Sequence, residues 1–256
     1  MDLKFASRSR SVGATENYIV SGGTNGTDNK IWFTTGPGAS ALISQGTFFN
    51  GGEYAAYDSG GFVRAMNYTT DNAGNGATVA GATDFTAASA NGKHVDLTGA
   101  ITAGITESIN SLRLGSTNGV TIGSTDILTL ANGGLLKTGG NAATISGGTL
   151  ATGGTELVVR TDASADKLTI DSQITNTGGL TKTGSGTLVL SNTGTASTVG
   201  TVRINDGTFE VTGGNAALPA GTGVTFHGDN SVFKVSGTDL TMTASSGLRF
   251  ENSVGI

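Results

Sequence analysis

The sequence predicts an all-β protein: a right-handed parallel β-helix, or solenoid, preceded by a less regular, aromatic-rich β region. Three observations carry this prediction. Short apolar strands alternate with a period of two, glycine-rich corners separate them at even intervals, and no window of about ten residues holds helical periodicity.

The pattern is clearest in Gly178-Gly179-Leu180-Thr181-Lys182-Thr183-Gly184-Ser185-Gly186-Thr187-Leu188-Val189-Leu190-Ser191. It reads as turn, strand, turn, strand. Leu188 and Leu190 point one way, Thr187 and Val189 the other. The flanking glycines suit the positive φ angles of sharp corners. Gly184-Ser185-Gly186 reads as such a corner, and Lys182 as an outward surface residue.

Repetition sets the length of a coil. Gly133-Gly134-Leu135-Leu136-Lys137-Thr138-Gly139 echoes the start of that segment at an offset of 45 residues. Gly186-Thr187-Leu188 and Gly207-Thr208-Phe209 echo each other 21 residues apart. Coils of about 20–25 residues, each with two or three strands, fit both offsets, the longer one as two coils. Successive coils then stack in parallel, about 4.8 Å apart.

From residue 96 onward the inward candidates recur in pairs, among them Leu112 and Leu114, Val120 and Ile122, Leu157 and Val159, Leu168 and Ile170, Val202 and Ile204, and Leu248 and Phe250. Arg113, Lys167, Arg203, Glu210, Lys234 and Arg249 fall on the interleaved, outward positions. An antiparallel sandwich also has short strands with turns every 8–12 residues. The recurrence of like turns at like phase favours the solenoid.

The chain divides at about residue 95. Residues 1–95 form an irregular N-terminal β region or cap, and 96–256 the repetitive β-helix, expected to be part of a longer protein. Ten of the fifteen aromatic residues lie within 1–70. Candidate strands there are 18–21, 30–34, 41–44 and 61–68, with a turn at Gly51-Gly52. Bulky fillers suit the outermost layer of a repeat array, which lacks a neighbour on one side; a separate small β domain is the alternative. Residues 70–92 are the weakest stretch, a loop or a strand pair with little core.

Composition excludes several classes. Of 256 residues 43 are Gly, without the three-residue period of collagen. The net charge is −5 and the tightest basic pair is Arg8 with Arg10, so nucleic acid is not expected as a partner. Cysteine is absent, which removes disulfides and thiolate metal sites. No apolar run of about 18 residues is long enough to span a membrane. No charged start and apolar run follow Met1, so for an exported protein the expectation is a signal that was removed or replaced, or one that lies on a longer precursor.

The chemistry-bearing residues are few. Catalytic β-helices gather carboxylates for Ca²⁺ on one face, or a pair of acids for glycoside hydrolysis. The comparable group here is Arg160, Asp162, Asp166, Lys167 and Asp171, read as a solvated charged loop. His94 and His227 read as surface histidines. Gly22-Gly23-Thr24-Asn25-Gly26-Thr27-Asp28 has some likeness to a calcium-binding nonapeptide, but occurs once and with the wrong spacing. Trp32, Tyr54 and Tyr57 are candidates for a sugar-stacking platform, with packing in a cap as the alternative. No catalytic, cofactor-binding or metal-binding residue is assigned, and no cofactor is expected.

Residues 178–191, followed by Thr201-Val202-Arg203-Ile204-Asn205-Asp206-Gly207-Thr208-Phe209-Glu210-Val211, resemble the passenger-associated transport repeat of autotransporters. The repeat is a Gly-Leu-Thr-Lys-x-Gly-x-Gly-Thr-Leu-x-Leu-Ser strand pair followed by Thr-x-Val-x-x-Gly-Thr-Leu. Phe209 stands here in place of the final Leu, and the tyrosine of the family's intervening turn is missing from 192–198. The likeness is specific over 178–212 and looser elsewhere.

The resemblance implies a β-helical passenger, extracellular or on the outer-membrane surface. It implies a structural, adhesin-like stalk without catalysis, whose partners are surface glycans, other cell-surface proteins or further copies of itself. The alternatives are a carbohydrate-binding or polysaccharide-cleaving β-helix, and a subunit of a self-assembling extracellular fibre.

Overall fold

A computed structural model describes residues 1–38, 41–71, 76–79, 92–103, 106–115, 117, 119–175, 178–243 and 247–251. From residue 76 the strands stack in parallel as the coils of a β-solenoid of about six turns.

The coils have three faces. The first stacks Gly76–Val79, His94–Leu97, 111–115, 134–137, Leu157–Thr161, Leu180–Thr183, Val202–Ile204, Val224–Phe226 and Leu248–Phe250. The second runs from Ile101–Ala103 through 120–122, 142–147, Lys167–Ile170, Thr187–Leu190 and Gly207–Gly213 to Ser231–Thr238. The third joins 107–109, 127–130, 149–151 and Gln173–Thr175, with a last bridge to Thr198. Strand Val120–Thr138 turns two corners and serves all three faces. Each turn of chain must return to the same edge one strand spacing further on, so parallel pairing follows from the repeat.

A coil is 17 residues long between His94 and Ser111 and 25 between Val120 and Ile145, so the early coils are shorter than expected. The 45-residue echo is also slightly out of structural register. Leu135 pairs with Val159 and Val159 with Lys182, a step of 47. The two-residue slide keeps inward positions over inward ones, because strand alternation repeats every two residues.

The inward candidates form one continuous core, with Leu112, Leu114, Leu128, Leu130, Leu168, Leu188, Val202 and Phe209 fully buried. The columns continue into the last coil, where Phe233 stacks on Phe209 at 5.8 Å and Phe250 on Phe226 at 4.9 Å. Leu248 and Phe250 are exposed there, since no described coil covers them. Gly184 holds its corner at φ 77°, and a Cβ there would sit 2.3 Å from the carbonyl oxygen of Thr161.

Lys182 is not an outward surface residue. Strand Leu180–Thr183 is buried at every position. Leu180 and Lys182 face the interior of the coil, and Thr181 and Thr183 lie beneath the N-terminal region.

That region runs along the flank of the first face rather than over an end of the stack. It has a parallel pair, Asp2–Phe5 with Lys30–Phe33, and an antiparallel meander of Ala41–Leu42, Thr47–Phe49, Glu53–Tyr57 and Val63–Ala65. The turn at 50–52 carries positive φ at Asn50 (48°) and Gly51 (79°), suited to a tight hairpin. The strands 47–49 and 53–57 were not among the expected ones. Phe48, Tyr54, Ala56, Met66 and Tyr68 pack against Leu136 and Val158, which point outward from the coils. These two apolar residues would otherwise expose a patch in the middle of the face, and the meander covers it. Ile31, Phe33, Phe49, Ala55, Tyr57 and Val63 form the region's own core.

The weak stretch is a strand in part. Gly76–Val79 pairs in parallel with His94–Leu97, so stacking begins before residue 96. The rest of that reading, at 72–75 and 80–91, lies outside the described residues. Among the described residues no helix is long and apolar enough to cross a membrane.

Candidate functional site

Docking of the meander onto the coils creates a cleft of about 730 Å³. Glu53, Asp58 and Arg64 reach it from the meander, Asp96 and Arg113 from the first face of the solenoid. Asp96 and Arg113 occupy adjacent rungs of one outward row, because His94–Leu97 and 111–114 pair in parallel.

Arg113 ties the two walls together. Its guanidinium donates to Glu53 Oε1 at 2.7 Å, to Asp96 Oδ1 at 2.6 Å and to the carbonyl of Gly52 at 3.1 Å. Burial raises the Glu53 carboxyl above its ordinary pKa, against the opposing pull of Arg113. On the meander side Arg64 donates to Asp58 Oδ2 at 2.7 Å and to Asp71 Oδ2 at 2.7 Å. The bond from Arg64 holds Asp58 below the usual carboxylate range, with a further contribution from the Gly60 amide.

Two lining groups have no partner among the described residues. One is the hydroxyl of Tyr68, a residue only 7% exposed. The other is Oδ1 of Asn25, whose Nδ2 donates to the carbonyl of Val63 at 3.0 Å.

The charged group singled out in the sequence is dispersed. Arg160 points outward beneath the meander, over the ring of Phe48 at 4.9 Å, and donates to Asp162 and to the carbonyl of Gly51. Asp166 is buried and accepts from the amides of Gly140 and Ala163 at 2.8 and 2.9 Å and from Lys137 at 3.2 Å. Lys167 and Asp171 are exposed on another face, where Asp171 accepts from Ser191 at 3.0 Å. Asp166 is therefore a structural anchor of a corner and no member of a solvated loop.

His94 is buried, not a surface histidine. Its Nδ1 lies 2.8 Å from Ser111 Oγ on the next rung. His94 is 4% exposed and Ser111 is fully buried, so this pair is sealed from any substrate. Burial pulls the His94 pKa down to about 4. His227 is half-buried at the end of strand Val224–Phe226, with Nδ1 3.4 Å from Glu251 on the next rung. Asp28 closes its own loop by accepting from the Thr24 amide at 2.7 Å. Tyr54 is fully buried, and Tyr57 bonds the backbone of Phe33 through its hydroxyl. Trp32 lies beneath Lys4, whose Nζ sits 4.3 Å from the ring centroid. These three aromatics form no shared platform. No group of three or more His, Cys, Asp or Glu able to hold a metal occurs among the described residues.

The cleft was not foreseen. Its residues come from position 25, segment 49–70, and positions 96 and 113, and no spacing in the sequence links them. Compared with known proteins, the chain matches no protein-family model, no curated protein and no solved structure.

Proposed function

We propose that this chain is a non-catalytic structural segment: a stalk- or adhesin-like scaffold, exported and displayed at a cell surface. The observation that carries the reading is one continuous core, in which Lys182 stands between Val159 and Ile204. Aliphatic columns run through successive coils of all three faces, while the flank is sealed by the N-terminal region. Such a molecule is a rod whose stability grows by neighbour contacts, as a spacer requires. The acids singled out in the sequence also serve the fold: Asp162 holds Arg160, and Asp166 holds a corner. The autotransporter-like repeat over 178–212 supports the exported setting. Surface glycans, other surface proteins or further copies of the chain are its partners in this reading.

Two measurements test it. Antibody against the chain should label intact cells of the source organism as strongly as permeabilised ones. Incubation with a panel of polysaccharides should release no new reducing ends. Labelling only after permeabilisation, or cleavage lost on Asp162→Asn or Asp166→Asn, overturns the proposal.

A further inference from the structure

We infer that the open edge of strand Asp2–Phe5 pairs antiparallel with the same strand of a second copy of this chain. The strand hydrogen-bonds on one side, to Lys30–Phe33, and pairs with no other strand among the described residues. It is exposed at every position, including the apolar Leu3 and Phe5 at 44% and 41%. An uncovered edge of this kind is a template for a further strand. The phase of the ladder decides which backbone groups face that edge. The amide of Lys30 donates to the carbonyl of Met1, and that of Thr34 to the carbonyl of Phe5, both at 2.9 Å. Met1, Leu3 and Phe5 thus turn their backbone groups inward, and Asp2 and Lys4 present theirs at the open edge.

This phase leaves few registers. In an antiparallel pair the edge-facing residues must lie opposite one another, where they exchange both N–H···O bonds. A pair centred on Asp2 sets Asp2 against its own copy, and one centred on Lys4 does the same for Lys4. Like charges directly opposite destabilise a pair. A pair centred on Leu3 satisfies every position. Asp2 then faces Lys4 of the copy, twice by symmetry, and both pairs exchange their backbone bonds. Leu3 faces Leu3, and Met1 faces Phe5, at the closer positions without backbone bonds. The segment Met1-Asp2-Leu3-Lys4-Phe5 is therefore complementary to its own reverse, apolar to apolar and acid to base. On the side of Leu3 a hollow lined by Met1, Ile19, Val20 and Ile31 continues the apolar surface, with Ile19 70% exposed. On the other side Asp2 makes no ion pair among the described residues, and Lys4 lies over Trp32.

This gives the self-association in the scaffold reading a surface, but it rests on the geometry of the strand and not on that reading. So short an edge makes a small interface, and the dimer forms reversibly with concentration. Sedimentation equilibrium of the full chain over a range of concentrations should show a monomer–dimer equilibrium. Asp2→Lys and Lys4→Glu each set like charges opposite one another. Each alone should weaken the dimer roughly tenfold or more, while its far-UV circular dichroism stays that of the wild type. Mixed one to one, the two variants are complementary again and should associate with each other about as strongly as the wild type does with itself. Phe250→Glu, in the uncovered last coil, should dimerise like the wild type. A wild type that stays monomeric, single variants that dimerise like it, a mixture that stays monomeric, or association lost on Phe250→Glu overturns the inference. None of these results touches the scaffold reading, which fails on cell labelling or on polysaccharide cleavage.

Discussion

Arg10 donates from Nη2 to Glu156 Oε2 at 2.5 Å, across 146 positions of sequence. The Glu156 side chain is 2% exposed and also accepts from the amide of Gly13 at 2.7 Å and from Thr181 Oγ1. Asn205 extends the clasp by donating to the carbonyl of Gly13 at 2.8 Å. The N-terminal arm is thus locked onto the coils by a buried carboxylate.

Removing one partner of a buried pair leaves a charge without compensation. Arg10→Ala is expected to destabilise the chain by about 3–5 kcal/mol in chemical denaturation. Limited proteolysis should then cut first within residues 1–20 while the repeat core resists. Glu156→Gln, which keeps the shape, should cost less than Glu156→Ala.

Lys182 gives the fold a pH dependence on the alkaline side. Its Nζ donates to the carbonyls of Gly184 at 2.6 Å and of Thr183 and Asp206 at 3.0 Å, and burial draws its pKa down to about 7 from 10.5. Between those values the unfolded chain binds more protons than the folded one, so this group makes stability rise with pH across that window. The rise is at most about 1.4 kcal/mol per pH unit. Denaturant titrations of wild type and Lys182→Met at pH 7, 8.5 and 10 should differ by that slope; parallel profiles would remove the assignment.

His94 acts at the acid end. Its folded pKa of about 4 lies below the ordinary 6.5, so the stability it contributes is complete above 6.5 and declines as pH falls toward 4. The decline amounts to at most about 3 kcal/mol. His94→Asn can keep a hydrogen bond to Ser111 but cannot take up the proton. Its stability should fall less than that of wild type between pH 6.5 and 4, as read by thermal melts.

Position along the stack should decide the cost of losing a core side chain. Leu188 is fully buried, and Leu188→Ala is expected to cost about 2–5 kcal/mol through lost burial and a cavity. Phe250 belongs to an equivalent inward row but is 76% exposed, with Phe226 as its stacking partner. Phe250→Ala should cost less than about 1.5 kcal/mol, the scale of one aromatic pair. Equal losses at the two positions in urea denaturation would contradict the open last coil.

The sequence by itself determined the architecture, because that information is local and periodic. Alternation placed Leu112, Leu168, Leu188 and Val202 in the core, and repeated Gly corners gave parallel coils of roughly the observed length. The turn at Gly51-Gly52 was also legible, though not the two short strands, Thr47–Phe49 and Glu53–Tyr57, that it joins.

Only the tertiary structure decided what lies over the first face. Lys182 shares the inward phase of Leu180, whereas Thr181 and Thr183 face outward, and their burial depends on the N-terminal arm, whose Thr15 bonds Thr183 across 168 positions. Arg113 has the same sequence signature as exposed Lys167, and it becomes the bridge of a cleft only when Glu53 docks beside it. A strand's period reports which side a residue faces. What covers that side is set by long-range packing, to which no local pattern is coupled.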